Sequence, residues 1–167
     1  HLNSNRVVAR GEAAACIAAL ATEHPTDVVA AVPGLAAIIE ENADGQRAAV
    51  YALERIAREA PEAVTPAADP LGDVIVDESL SDDTRLSATA ALGRVVKESP
   101  SLALDIVDDV AGLFDADNYK LRNNAVALLF EVSAVHTDVV QPFVEDIAEL
   151  LTVDDAYTRT NASGTLA

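Results

Sequence analysis

Long stretches of apolar and small residues alternate with short polar breaks along the chain. Within each stretch the apolar positions recur at i, i+4 and i+7 rather than at every second residue. That spacing gathers them on one face of a helix and excludes a half-buried strand. Ala49, Leu53 and Ile56 form one such stripe, Ala88, Leu92 and Val95 a second, and Ala125, Leu129 and Val132 a third. Ala13, Ile17 and Leu20 extend the series toward the N-terminus, and Ala162 and Leu166 extend it toward the C-terminus. Cys16 is equivalent to Ala52, Ala91 and Leu128 and is therefore expected in the core as a small hydrophobe. Between the stripes lie second helical stretches, such as residues 26–42 and 101–117. Their apolar positions also match from one to the next: Val32, Ala68, Val107 and Val144, then Leu35, Leu71, Val110 and Ile147, then Ile39, Ile75, Phe114 and Leu151. Each is predicted to run antiparallel to the stripe helix that follows it.

The same alignment exposes a repeat. Arg10, Gln46, Arg85, Arg122 and Arg159 share one position, at intervals of 36, 39, 37 and 37 residues. Self-similarity at that period indicates stacked helical hairpins, each burying its apolar faces against its neighbours. Pro25, Pro61 and Pro100 occupy one position, where proline stops the helix before it and suits the first turn of the next. Asp82, Asp117 and Asp154 stand where helix N-caps are needed, and Asp44 with Gly45 supplies the matching turn. Pro33, Pro66, Pro70 and Pro142 are expected to delay or kink the second helices. The units run over about 1–24, 25–60, 61–99, 100–136 and 137–167. The first is a single stripe helix and the last ends on an incomplete one. A chain that begins and ends on half-units is expected to be a piece of a longer solenoid, because solenoid ends need caps.

This pattern resembles the HEAT repeat. A proline-marked helix A, a turn at an aspartate, and a helix B carrying an arginine followed by alanine and leucine at fixed intervals all appear. They run from Pro100 through Leu113 to Asp117, Arg122, Ala125 and Leu129, and from Pro61 through Ile75 to Asp82, Arg85, Ala88 and Leu92. The resemblance covers essentially the whole chain, with Gln46 replacing the arginine and Thr137 the proline. It implies an all-α fold, a right-handed superhelix of about nine antiparallel helices in about 4.5 HEAT-like repeats of 36–39 residues. It also implies an Asp–Arg ladder between neighbouring turns, formed by Arg85, Arg122 and Arg159 with Asp82, Asp117 and Asp154. HEAT-like solenoids place A helices on the convex side and B helices on the concave side.

Charge adds a polarity to that arrangement. The 28 acidic residues outnumber the 11 basic ones, giving a net charge of −17. All 11 basic residues fall on B helices or their leading turns, whereas 16 of the acids fall in the A segments. The A layer is thus expected to be an acidic shell around a nearly neutral B layer. Such a chain repels nucleic acid and anionic membrane surfaces. Many carboxylates, only two lysines and small apolar residues also suit molar salt, where the Debye length shrinks to about 3 Å and self-repulsion is screened. A salt-loving source predicts a higher melting midpoint in molar KCl than at low salt, and an equal or better midpoint at low salt would reject it. One cysteine, no secretory signal pattern and no apolar run of transmembrane length point to a cytoplasmic protein.

Candidate chemistry is sparse. His1, His24 and His136 lie far apart in the repeat frame, and the last two share a junction position expected to be structural. The pairs Asp82–Asp83, Asp108–Asp109 and Asp154–Asp155 lack the alternating oxygens and turn glycine of a calcium loop. There is no nucleophile–base pair, phosphate-cradling glycine loop or metal-spaced cysteine set, so no enzymatic activity, metal or cofactor is expected. Partner binding is expected instead on the outward face of the B helices, at Arg47, Tyr51, Arg55, Arg58, Arg94, Lys97 and Phe130. The alternative assignment of those cations is intrahelical pairing of Glu54 with Arg58, Arg55 with Glu59 and Arg94 with Glu98. The leading function is a non-catalytic protein-binding scaffold. One alternative is an accessory domain of an enzyme, as in HEAT-like phycobilin lyases, whose units are shorter. A nucleic-acid-binding HEAT domain of the DNA glycosylase type would need a broad basic face that four cations do not provide.

Overall fold

Five uninterrupted helices carry the stripes: α1 (Leu2–Glu23), α3 (Gln46–Glu59), α5 (Asp82–Glu98), α7 (Tyr119–Ser133) and α10 (Ala156–Thr165). The computed structural model describes the backbone of residues 2–167 and side chains from residue 9 onward, so His1 lies outside the described residues. Each of these B helices packs on the next, α1 on α3, α3 on α5, α5 on α7 and α7 on α10. The intervening A segments form the second layer, with α2 (Val32–Glu40) on α4 (Ala68–Val76) and α4 on α6 (Val107–Ala111). The last A segment combines α8 (Thr137–Val140) and α9 (Val144–Glu149). Nine helical segments alternate among the described residues. None of their helices is long and apolar enough to cross a membrane.

The A segments differ from the B helices in kind. They begin or end in 3-10 turns at Pro25–Ala31, Pro61–Ala67, Pro100–Ile106, Gly112–Asp115 and Leu150–Thr152, and the last is also interrupted by one at Gln141–Phe143. Pro25, Pro61 and Pro100 open three of these turns, and Pro66 lies inside one. Proline lacks the N–H of an α hydrogen bond and its ring crowds the carbonyl four residues earlier, so the backbone tightens into a 3-10 turn before α geometry resumes.

The core runs between the layers. Leu35, Leu53, Ile56, Leu71, Ile75, Leu92, Leu129 and Ile147 are almost completely excluded from solvent. The first helix departs from the expected pattern. Among the described side chains of α1 the buried ones are Ala14, Ala18 and Ala21, whereas Leu20 is 53% exposed and Cys16 is exposed. Ala52, Ala91 and Leu128 are buried because each sits on a B helix with another B helix before it. Among the described residues α1 packs on α3 and on the A segment at Pro25–Ala31 but has no B-helix neighbour on its other side, so Cys16 is exposed and its expected core place is corrected.

Caps fall one residue from the expected aspartates, at positions whose backbone is extended. Ser81 caps α5, Asn118 caps α7 through Lys120 N at 3.0 Å, and Asp155 caps α10. The Asp155 carboxylate accepts from Thr158 N at 2.6 Å and from Thr158 Oγ1 at 2.7 Å, and these bonds hold its pKa below the ordinary aspartate value. Asp77 is likewise lowered, by bonds from the Ser79 hydroxyl and backbone N–H. A carboxyl depressed in the native state contributes stability that is complete above its unfolded pKa, near 4, and lost as pH falls through its folded value. Stability should therefore be flat near neutrality and fall below about pH 4. In Asp155→Asn, which keeps the cap geometry and removes the charge, melts from neutral pH to pH 3 should show a shallower acid limb. An unchanged limb would rule out the Asp155 contribution.

The repeated arginine ties each B helix mainly to backbone. Arg85 is buried, donating from Nε to the Ile75 carbonyl at 2.9 Å, with Asp82 Oδ1 3.8 Å from its Nη1. Arg122 donates to the carbonyls of Ala116 and Asp117, and Arg159 to those of Val153 at 2.7 Å and Asp154 at 2.8 Å. These carbonyls end the A segment of the same unit. A helix leaves its last carbonyls without intrahelical partners and carries partial negative charge there, so a guanidinium is a suitable cap. Arg10 holds the same repeat position but has no preceding A segment among the described residues. It reaches forward instead to Glu41 at the end of α2, raising its own pKa and lowering that of Glu41. Further bonds between units come from other residues. Asn118 donates to Asp82 Oδ2 at 2.9 Å and Asn161 donates to Asn123 Oδ1 at 2.8 Å, while Ser101 Oγ pairs with His136 Nε2 at 2.8 Å between the two ends of one unit. The ladder anticipated between aspartate and arginine side chains is thus largely an arginine-to-carbonyl cap within each unit.

Candidate functional site

Helix α3 buries Ala49, Val50, Ala52, Leu53, Ile56 and Ala57 on three sides, because it lies between α1 and α5 and against the A layer. Its fourth side presents Arg47, Tyr51, Arg55 and Arg58, a stripe at helical spacing. These four side chains line an open groove of about 1120 Å³. Gly11, Ala15 and Ala18 of α1 form one wall of the groove, with Gly45 and Ala48 beside them. Asp83, Leu86 and Ser87 of α5 and Lys120 of α7 complete the opposite end. The site therefore spans four consecutive B helices, and small residues on α1 and α3 leave its floor open.

A buried carboxylate organises the cations. Glu54 is only 4% exposed, and its Oε1 accepts from Arg58 Nε at 2.7 Å while Arg94 Nη1 approaches the same oxygen at 3.5 Å from α5. Its Oε2 is 3.5 Å from Arg55 Nε. Arg55 also donates to the Tyr51 hydroxyl and stacks over the Tyr51 ring, with the guanidinium carbon 4.6 Å from the ring centre. One negative charge thus holds three arginines, which leaves the cluster cationic.

The structure brings together Arg47, Tyr51, Arg55 and Arg58 at the groove, and leaves Arg94 outside its lining but beside Glu54. Arg94 Nη1 bonds the Ala90 carbonyl at 2.6 Å as well as facing Glu54. Lys97 is exposed near the end of α5, outside the groove lining. Phe130 is also outside it. Its ring lies over α10, 3.0 Å from where a Cβ on Gly164 would stand. Lys120 is the residue that sequence reasoning missed. It is a cation at the start of α7 in the repeat position of Asp83, so the charge reversal along that row was the available signal.

No known family profile matches the chain, and no curated protein does. Three solved structures are similar over 93% of it. A designed armadillo repeat protein matches at 20% identity with a TM-score of 0.77 over 74% of its own length. An engineered protein from the Northeast Structural Genomics Consortium matches at 22% identity and a TM-score of 0.74, and the chain spans only 43% of that protein. A second engineered protein from the consortium matches at 18% identity and a TM-score of 0.59 over 88% of its length. The fold is a HEAT/armadillo-like helical solenoid. In this solenoid the candidate groove lies on the layer of B helices, and the acid-rich A segments lie on the other.

Proposed function

We propose that the solenoid is a non-catalytic scaffold that holds a partner protein against its B-helix face. The observation that carries this is the groove itself. It is open, crosses four successive helices, and is furnished with fixed guanidinium groups and an aromatic ring, the side chains that contribute most at protein interfaces. Among the described residues no group of three or more His, Cys, Asp or Glu side chains is placed to hold a metal ion. Partners selected by peptide display on the immobilised chain provide the test, followed by hydrogen exchange of the complex. Protection should concentrate in α3 and α5, and protection confined to the A segments would reject the groove as the binding face.

A further inference from the structure

We infer that the occupant of this groove is an extended acidic peptide segment, whose Asp and Glu side chains pair with Arg47, Arg55, Arg58 and Lys120. The inference rests on the scaffold reading above and adds the chemistry of the partner. Charge complementarity is the first argument. In a chain of net charge −17, the groove lining collects these four cations against a single acid, Asp83, among the described residues. Preorganisation is the second. Arg58 is held by Glu54, and Arg55 by Tyr51 and Glu54, so both meet a carboxylate with little further loss of side-chain freedom. Arg55 Nε is buried without a hydrogen-bond partner.

Span is the third argument. Neighbouring helices lie about 8–10 Å apart, so α3 to α7 is a distance of about 16–20 Å across the helix axes. An extended chain covers that in about five or six residues. Such a segment would cross the B helices with its carboxylates toward α3 and α7 and its amide groups toward Asp83 and Ser87. A nucleic acid strand fits less well. Its charges are closely and evenly spaced and call for a dense basic track, whereas Asp83 interrupts this one and 16 acids occupy the A segments.

The test is fluorescence anisotropy on the intact chain with short labelled probes: alternating Glu and Ser, its Gln and Ser isostere, a Lys and Ser counterpart, and single-stranded DNA. The Glu probe should bind, and should weaken about tenfold or more between low and molar KCl. Arg47→Glu combined with Lys120→Glu should weaken it by a similar factor. Both residues are exposed and outside the Glu54 cluster, and circular dichroism melts confirm that the variant folds. Lys120→Glu alone should give a smaller loss in the same direction, and Lys97→Glu none. Equal binding of the Gln isostere, still lost in the double variant, would overturn the acidic specificity while leaving the scaffold reading intact. Tighter binding of DNA than of the Glu probe would replace the proposal with a nucleic-acid site. Binding of no probe would overturn the acidic-segment inference, while the display and hydrogen-exchange experiment above decides the scaffold reading on its own.

Discussion

Gly45→Ala should destabilise the protein by about 2–5 kcal/mol, from two independent sources. Gly45 has φ +100°, in the left-handed region that side chains strain, and a Cβ there would lie 2.7 Å from the Gly11 Cα of α1. The obstacle is backbone, so relief requires α1 to move away from α3. In the other units the same repeat position holds the buried side chains of Thr84, Leu121 and Thr158. The first junction instead brings two glycines into contact. Asn tolerates positive φ better than most residues but would clash equally. Gly45→Asn should therefore recover little of the loss if the contact dominates. Urea melts measure the total, and hydrogen exchange in α1 should accelerate before that in α5. Recovery of full stability by Asn would show that backbone strain alone sets the effect.

Arg85→Ala is expected to cost about 2–4 kcal/mol. The substitution removes a charge-assisted bond to the Ile75 carbonyl and leaves that oxygen unpaired next to the core. It also empties the space of a buried guanidinium stem. Arg85→Lys keeps the charge but cannot reproduce the Nε geometry, so it should recover less than half of the loss. Hydrogen exchange separates the mechanism from general loosening, because amides at the end of α4 and the start of α5 should respond most. Uniform acceleration across all B helices would argue against a cap confined to one unit.

The repeat was legible because its signal is local. Helix spacing along Ala49, Leu53 and Ile56, proline at Pro61 and an N-terminal turn at Asp82 are each set within one turn of backbone. The break of the A segments into 3-10 turns was legible only as proline positions, since the sequence does not say where α geometry resumes. Exposure of Cys16 and Leu20 was hidden for a different reason. Equivalence by repeat assumes identical neighbours, and α1 does not have the neighbours that α3 has. The arginine position was read correctly as recurrent, yet the hydrogen-bond partners of Arg85, Arg122 and Arg159 are carbonyls, and carbonyls leave no mark in a sequence.

The groove followed the same division. Arg47, Tyr51, Arg55 and Arg58 could be grouped because they lie on one helix. The convergence of Arg94 on Glu54 depends on how α5 crosses α3, and Lys120 enters from a third helix. Phe130 is exposed, as its outward place in the helical projection suggested, and its ring sits beside the small Gly164 of α10 rather than at the groove.

The ties between units also bear on how the chain folds. Side-chain bonds that bridge them close spans of 31, 36 and 38 residues. Loop-closure entropy grows only logarithmically with span, so each added unit meets nearly the same entropic barrier as the one before. Folding should then advance as a zipper from whichever hairpin nucleates first, at a rate set by one unit rather than by the whole 167-residue chain.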